Sequence, residues 1–245
     1  MGELIAVLSG KGGTGKTSLC AGIATALAQS GENVLCIDCD VGLRNLDISL
    51  GLTEAGALSF MEVCRQEYDL SQAVRHPEFP TLSFLTAPVN CRAEDVDLNA
   101  FGKMLSKARG LFSYVFLDAP AGLDAGFRLC ASFADRCILV TCSEPAAVRD
   151  SARTGQQLEA MGQRDVRLIV NRINKKLFDT MSVTVDDVMD QAGLPLLGVV
   201  PEDANVVLAA AFETPLLRYT KKGAAAACRR IAKRIKGLPE PVSVR

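Results

Sequence analysis

The sequence predicts a doubly wound α/β fold: a mostly parallel sheet with helices on both faces. It forms a single domain over residues 1–236, followed by a short tail, 237–245. Three observations predict this. Short runs nearly continuous in apolar residues mark strands covered on both faces. Helical segments alternate with those runs, as in repeated βαβ units. A glycine-rich loop joins the first run to the first helix, where such folds receive phosphate. Hydrophobic residues make up 49% of the 245, which supports a large core and argues against disorder.

The first run, Leu4–Leu8, leads into Gly10-Lys11-Gly12-Gly13-Thr14-Gly15-Lys16-Thr17, inside which the helix expected over Lys16–Gln29 begins. This fits G-x-x-x-x-G-K-[ST] in the strand–helix setting that the motif requires. Glycines let the backbone curl until its N–H groups converge on phosphate oxygens, and the helix N-terminus adds partial positive charge. Lys16 is placed to neutralise the β- and γ-phosphates and Thr17 to ligate Mg²⁺, with Ser18 closing the segment. Lys11 is a second cation in the loop, able to offset charge that develops during phosphoryl transfer. The expected cofactors are therefore ATP and Mg²⁺.

The second run, Asn33–Ile37, ends in Asp38-Cys39-Asp40. Ligands of parallel sheets lie beyond the carboxyl ends of the strands, so both carboxylates stand on the phosphate side. One can hold a Mg²⁺-bound water and the other can orient the attacking water. The third run is Leu82–Leu85, followed by a helix over Leu98–Ala108. The fourth, Tyr114–Leu117, ends in Asp118-Ala119-Pro120-Ala121-Gly122, the Walker B pattern. Asp118 is expected to hold a Mg²⁺ water or the Thr17 hydroxyl. The Gly122 N–H is placed to meet the γ-phosphate and so report hydrolysis. Next come a helix over Asp124–Phe133, the run Cys137–Thr141, and a helix over Pro145–Met161 with Ser143 as its cap. Val166–Val170 then ends in the side-chain amide of Asn171, and a helix covers Val185–Ala192. The run Leu196–Val200 precedes Pro201-Glu202-Asp203, and the last helix spans Tyr219–Ile235.

Lys11 to Thr17 resembles the deviant Walker A motif of the MinD/ParA family of P-loop NTPases. The resemblance covers nearly the whole chain. It is carried by Val41-Gly42-Leu43-Arg44-Asn45-Leu46-Asp47, Asp118 to Gly122, Ala147-Val148-Arg149-Asp150, Met181-Ser182-Val183 with Asp186-Asp187-Val188, and Gly198 to Asp203. The first of these points to the MinD branch more than to plasmid-partition ATPases. The resemblance implies an ATP hydrolase that forms a homodimer with ATP and helps place the division septum. A ParA-type DNA-partition ATPase and a flagellar-number regulator are the alternatives. It implies that Lys11 crosses the dimer interface to the partner's ATP, that Asp38 joins the metal shell, and that Asp40 orients the water. The catalytic set is then Lys11, Lys16 and Asp40. It further implies that Asn171 and Arg172 lie by the adenine, with Pro201, Glu202 and Asp203 as the other wall. The helix starting near Pro145 is implied to carry contacts to a division regulator, with Asp150 responding to the signature lysine.

The net charge of −1 gives no global attraction to nucleic acid or to an anionic membrane, so there is no strong case for DNA binding. The last helix carries Arg229, Arg230, Lys233, Arg234 and Lys236 over a mostly alanine stripe, and prolines 239 and 241 stop any further helix. A terminal helix packed on the core is the preferred reading; the basic face leaves room for a weak peripheral membrane contact. Nine cysteines, an odd count behind no signal peptide, read as free thiols in a reducing cytosol. The expected location is cytoplasmic, with a peripheral position at the inner face of the membrane. Cys36 and Cys39 should point to opposite faces of the sheet, which suits core packing rather than a metal pair. The single histidine, His76, is expected in a surface loop, too far from the strand tips for a triad or a zinc site.

Overall fold

The computed structural model describes residues 1–41, 43–89, 91–181 and 184–243. Gly42, Ser182 and Val183, which carry part of the resemblance, and Val244 and Arg245 of the tail lie outside the described residues. In chain order the elements are β1 (Glu3–Leu8), α1 (Lys16–Gln29), β2 (Val34–Asp38), α2 (Leu46–Leu50), α3 (Phe60–Cys64), β3 (Val74–Arg75), β4 (Leu82–Leu85), α4 (Leu98–Leu111), β5 (Tyr114–Asp118), α5 (Ala125–Phe133), β6 (Arg136–Thr141), α6 (Pro145–Ala160), β7 (Val166–Ile173), α7 (Lys175–Met181), α8 (Val185–Ala192), β8 (Leu196–Pro201), α9 (Ala204–Ala211), α10 (Leu216–Tyr219) and α11 (Gly223–Ile235).

The strands form one sheet in the order β3-β4-β2-β5-β1-β6-β7-β8. Every neighbouring pair is parallel except β3 with β4. β1 lies between β5 and β6; the chain passes from β1 to β2 on one side and from β5 to β6 on the other, which puts the phosphate loop at the topological switch point. Alternation along each strand fills two cores. Leu4, Ala6 and Leu8 of β1 face the layer built on α3–α6 and α8. Ile5 and Val7 face the layer of α1, α2 and α9–α11. Cys36 buries in the second layer and Cys39 in the first, as their spacing predicts.

Three departures from expectation have physical causes. The antiparallel edge strand β3 is too short to leave a periodic signal. The predicted helix Tyr219–Ile235 breaks into α10 and α11, because Thr220 is extended and Asp203 Oδ2 accepts the Ala224 N–H at 2.9 Å to start α11. His76 is not a surface residue: it is 2% exposed. Its ring is stacked at a tilt on Phe79 and hydrogen-bonded at both nitrogens, to the Leu50 carbonyl at 2.9 Å and from the Glu78 N–H at 3.1 Å.

The last helix does pack on the core. Cys228, Ile231 and Ile235 are buried against α1 and β8. Two glycines allow the approach: a Cβ on Gly22 would lie 2.7 Å from Cys228 Sγ, and one on Gly198 would lie 2.5 Å from Ile231 Cγ1. Arg234 donates to the carbonyls of Leu197 and Glu240, and Arg230 donates to the Ser243 carbonyl, tying the tail back along α11. No helix among the described residues is long and apolar enough to cross a membrane.

Candidate functional site

The loop after β1 is gripped from three neighbouring elements. The Gly122 N–H beyond β5 donates to the Ser9 carbonyl at 3.2 Å. Asn171, at the tip of β7, donates Nδ2–H to the Thr14 carbonyl at 2.7 Å. Gly10 presses on α6, where an added Cβ would stand 2.4 Å from Thr154 Oγ1 and 3.2 Å from the Asp150 carbonyl oxygen. Within the loop, Ser9 Oγ donates to the Lys11 carbonyl at 2.8 Å. Gly15 caps α1 at φ +88°, and a Cβ there would lie 2.4 Å from Asn171 Nδ2. Only glycine meets both demands.

The two lysines occupy different surroundings. Lys16, at the first position of α1, is 8% exposed and its charge lowers the pKa of Asp118 and Asp40. Lys11 projects from the exposed crest with Gly12 and Gly13. Thr17 and Ser18 are half-buried in the first turn of α1.

Asp38 and Asp118 are register partners at the ends of β2 and β5. Both are buried, at 0% and 1% exposure. Asp38 accepts backbone N–H groups from Asp40 at 3.0 Å, Asn45 at 3.1 Å and Leu46 at 3.2 Å. Burial nevertheless pushes its pKa up to about 6 against those hydrogen bonds. Asp118 is pushed up to about 7, first by burial and then by the Asp38 charge; Lys16 and the Thr17 hydroxyl pull the other way. Asp40, half-buried, is raised by burial and drawn down by Lys16.

This donor set fits a hard divalent cation. Asp118 Oδ1 is buried and, among the described residues, has no hydrogen-bond partner. The Asp118 carboxyl stands beside the Thr17 hydroxyl, and carboxylate and hydroxyl oxygens are what Mg²⁺ prefers. Two buried carboxylates facing one lysine leave negative charge that a cation would neutralise. Thr14 Oγ1 is a second buried atom without a partner among the described residues.

Of the residues the resemblance implies by the base, some come together. Arg172, at φ +56°, pairs with Glu202 at 3.2 Å, and Asn171 is buried next to it. Pro201 is half-buried at the end of β8. The Asp203 carboxylate is turned elsewhere: Oδ1 caps α9 through the Asn205 N–H at 2.9 Å, and Oδ2 starts α11. In α6, Glu144 rather than Ser143 stands at the cap, with Pro145 first in the helix; Arg149 and Arg153 are exposed. The sequence reading missed the clamps on the loop made by Thr154 and by the Asn171 amide. A buried threonine inside an amphipathic helix carries no motif, so only packing reveals the first.

A family model described as the CobQ/CobB/MinD/ParA nucleotide binding domain matches residues 5–216. The septum site-determining protein MinD of Bacillus subtilis (strain 168) is 36% identical over 250 residues, covering 100% of this chain and 92% of that protein. Among solved structures, the chain is similar to one described as the MinC:MinD cell division protein complex of Aquifex aeolicus. There the TM-score is 0.91, with 32% identity and 98% of each chain covered. It is also similar to septum site-determining MinD complexed with Mg-ADP from Pyrococcus horikoshii OT3, at TM-score 0.84 and 26% identity, covering 96% of each chain. With the strand-tip carboxylates gathered on the glycine loop and the family model spanning most of the sequence, the chain belongs to the CobQ/CobB/MinD/ParA family of nucleotide-binding domains.

Proposed function

We propose that this protein is a MinD-type ATPase, hydrolysing ATP to ADP and phosphate as a switch that helps place the division septum. The observation that carries the reading is the in-register pair Asp38 and Asp118, buried beside Lys16 and Thr17 at a P-loop. The N–H groups of Gly10, Gly12, Gly13, Thr14, Gly15, Lys16, Thr17 and Ser18 cradle the triphosphate, and Lys16 neutralises its β- and γ-oxygens. Thr17, Asp118 and Asp38 would hold Mg²⁺, with Asp118 taking a Mg²⁺ water or the Thr17 hydroxyl. Mg²⁺ held there would supply positive charge to offset that of the phosphates. Asp40 orients the attacking water. The Gly122 N–H leaves the Ser9 carbonyl for the γ-phosphate when ATP is bound and returns after hydrolysis.

Lys11 acts in trans. Its exposed position at the crest of the loop suits a cation that reaches a second copy's nucleotide in an ATP-bound homodimer. Adenine lies against Asn171, Arg172, Pro201 and Glu202, and Asp203 contributes backbone only. The exposed side of α6, with Arg149 and Arg153, receives a division regulator, which the MinC named in the Aquifex complex exemplifies. The place of action is the cytoplasm, with a weak contact at the inner membrane face. DNA partition is disfavoured because Arg229, Arg230 and Arg234 of α11 are held by neighbouring carbonyls rather than left free for phosphates. Size-exclusion with light scattering on Asp40→Ala tests the reading. A dimer is expected with Mg·ATP and a monomer with ADP; a monomer under both conditions overturns it.

A further inference from the structure

A buried carboxamide donating into the phosphate loop is more than base recognition requires. Asn171 is 7% exposed, and its Nδ2 lies 2.7 Å from the Thr14 carbonyl oxygen. That carbonyl can only accept, so the amide nitrogen must face the loop and the orientation of the side chain is settled. The other group close to the same oxygen is the Cys142 thiol at 3.9 Å, a weak donor. Gly15 completes the fit, because any Cβ at that position would displace the amide. A trans peptide points the Gly15 N–H opposite to the Thr14 carbonyl. Tying the carbonyl to β7 therefore turns that N–H away from β7, where it is available to an anion.

We propose that Asn171 is a positioning residue for the phosphate loop: its hydrogen bond to Thr14 preorganises the cradle, so the tip of β7 sets affinity for the phosphate chain whether or not a base is present. The proposal rests on the phosphate site described above and adds to it a residue that touches the loop rather than the phosphates. Without the amide, the Thr14 carbonyl keeps, among the described residues, only the Cys142 thiol as a partner. The loop is then free to rotate that peptide toward the ligand, which places a carbonyl dipole against negative charge.

The test measures calorimetric binding of inorganic tripolyphosphate and of ATP, each with Mg²⁺, to the full-length protein and to Asn171→Ala and Asn171→Asp. Circular dichroism melting checks that each is folded. Wild type should bind both ligands. Asn171→Ala should weaken tripolyphosphate by about tenfold or more, the scale of an unsatisfied buried acceptor. Asn171→Asp, nearly identical in shape, should be weaker still at pH 8, where its carboxylate faces the carbonyl oxygen. Its ratio to wild type should recover as pH falls, because a protonated carboxyl donates as the amide did. Should Asn171→Ala not fold, the Asn171→Asp titration decides. Variants that bind tripolyphosphate as tightly as wild type, losing only ATP, would place Asn171 on the base alone and overturn the proposal. So would an Asn171→Asp deficit independent of pH, which would mark simple packing loss. If wild type binds ATP but no tripolyphosphate, the loop is not preorganised and the proposal fails while the ATP site stands. If wild type binds neither, the phosphate reading fails as well.

Discussion

Asp38 and Asp118 face each other in register across β2 and β5, and their environments are unequal. Three backbone N–H groups satisfy Asp38, whereas Asp118 keeps one oxygen with no partner among the described residues. The proposed roles follow this inequality: a satisfied carboxylate suits the outer metal shell, and an unsatisfied one suits a cation. That inequality comes from the chain bending after Asp38, so that Asn45 and Leu46 return their amides to it.

The pair makes nucleotide stabilisation depend on pH. In the ligand-free protein both carboxyls are raised, to about 6 and about 7, above an unfolded value of about 3.9. Between about pH 4 and pH 7 the folded state therefore holds more protons than the unfolded one, and this contribution to stability falls as pH rises. Mg²⁺ requires the ionised forms, so the rise in Tm produced by Mg·ADP should be larger at pH 8 than at pH 5.5. Asp118→Asn should remove most of the difference. Equal Tm increments at both pH values in the wild type would contradict the assignment.

The two lysines should separate binding from turnover. Lys16→Ala removes a buried cation from the site and should abolish measurable ATP binding by calorimetry. Lys11→Ala should leave ADP affinity within a few-fold but lower single-turnover hydrolysis by about a thousandfold or more, the range of a trans-acting cation. If both substitutions reduce ADP affinity alike, Lys11 acts within its own subunit.

Much of this site is written in the chain as local chemistry. A glycine loop, an aspartate ending an apolar run, and a second lysine are each readable because the residue type and its neighbours carry the reason. Strand ends are readable too, since β-period and parallel-sheet burial repeat along each run. What escapes is set by distant contacts. The family resemblance implies that Asp203 is pocket wall, yet its carboxylate joins α9 to α11. His76 looks like loop because it precedes Pro77, yet Leu50 and Phe79 enclose it. Nothing adjacent in sequence announces either.

His76 yields a direct spectroscopic prediction, because the chain contains a single histidine. Burial lowers its pKa below the usual 6.5 against the opposing hydrogen bond to Leu50. Nδ1 accepts two N–H groups, from Glu78 and Phe79, so the neutral ring carries its proton on Nε2. The stabilisation is present above about pH 6.5 and is lost as pH falls toward the lowered pKa. It is opposite in sign to the aspartate effect in the same window. A ¹⁵N-edited NMR titration should show one Nε2–H tautomer titrating below 6.5. Titration at or above 6.5 would mean that the ring is solvated.

The role of α11 divides two kinds of residue on one helix. Ile231 is 1% exposed and pressed against Gly198, so Ile231→Ala should cost about 2–5 kcal/mol of unfolding free energy in urea melts. Lys233 is solvent-facing and paired with Glu240 at the surface, so Lys233→Glu should change stability by less than about 1 kcal/mol. Any binding to anionic vesicles should respond in the reverse order, weakened by Lys233→Glu and indifferent to Ile231→Ala in protein that is still folded. The reason is geometric: the apolar stripe that a membrane helix would insert is here turned into the sheet, leaving charge alone for the lipid surface. Loss of vesicle sedimentation in Ile231→Ala, with its urea midpoint unchanged, would show that α11 leaves the core to enter lipid.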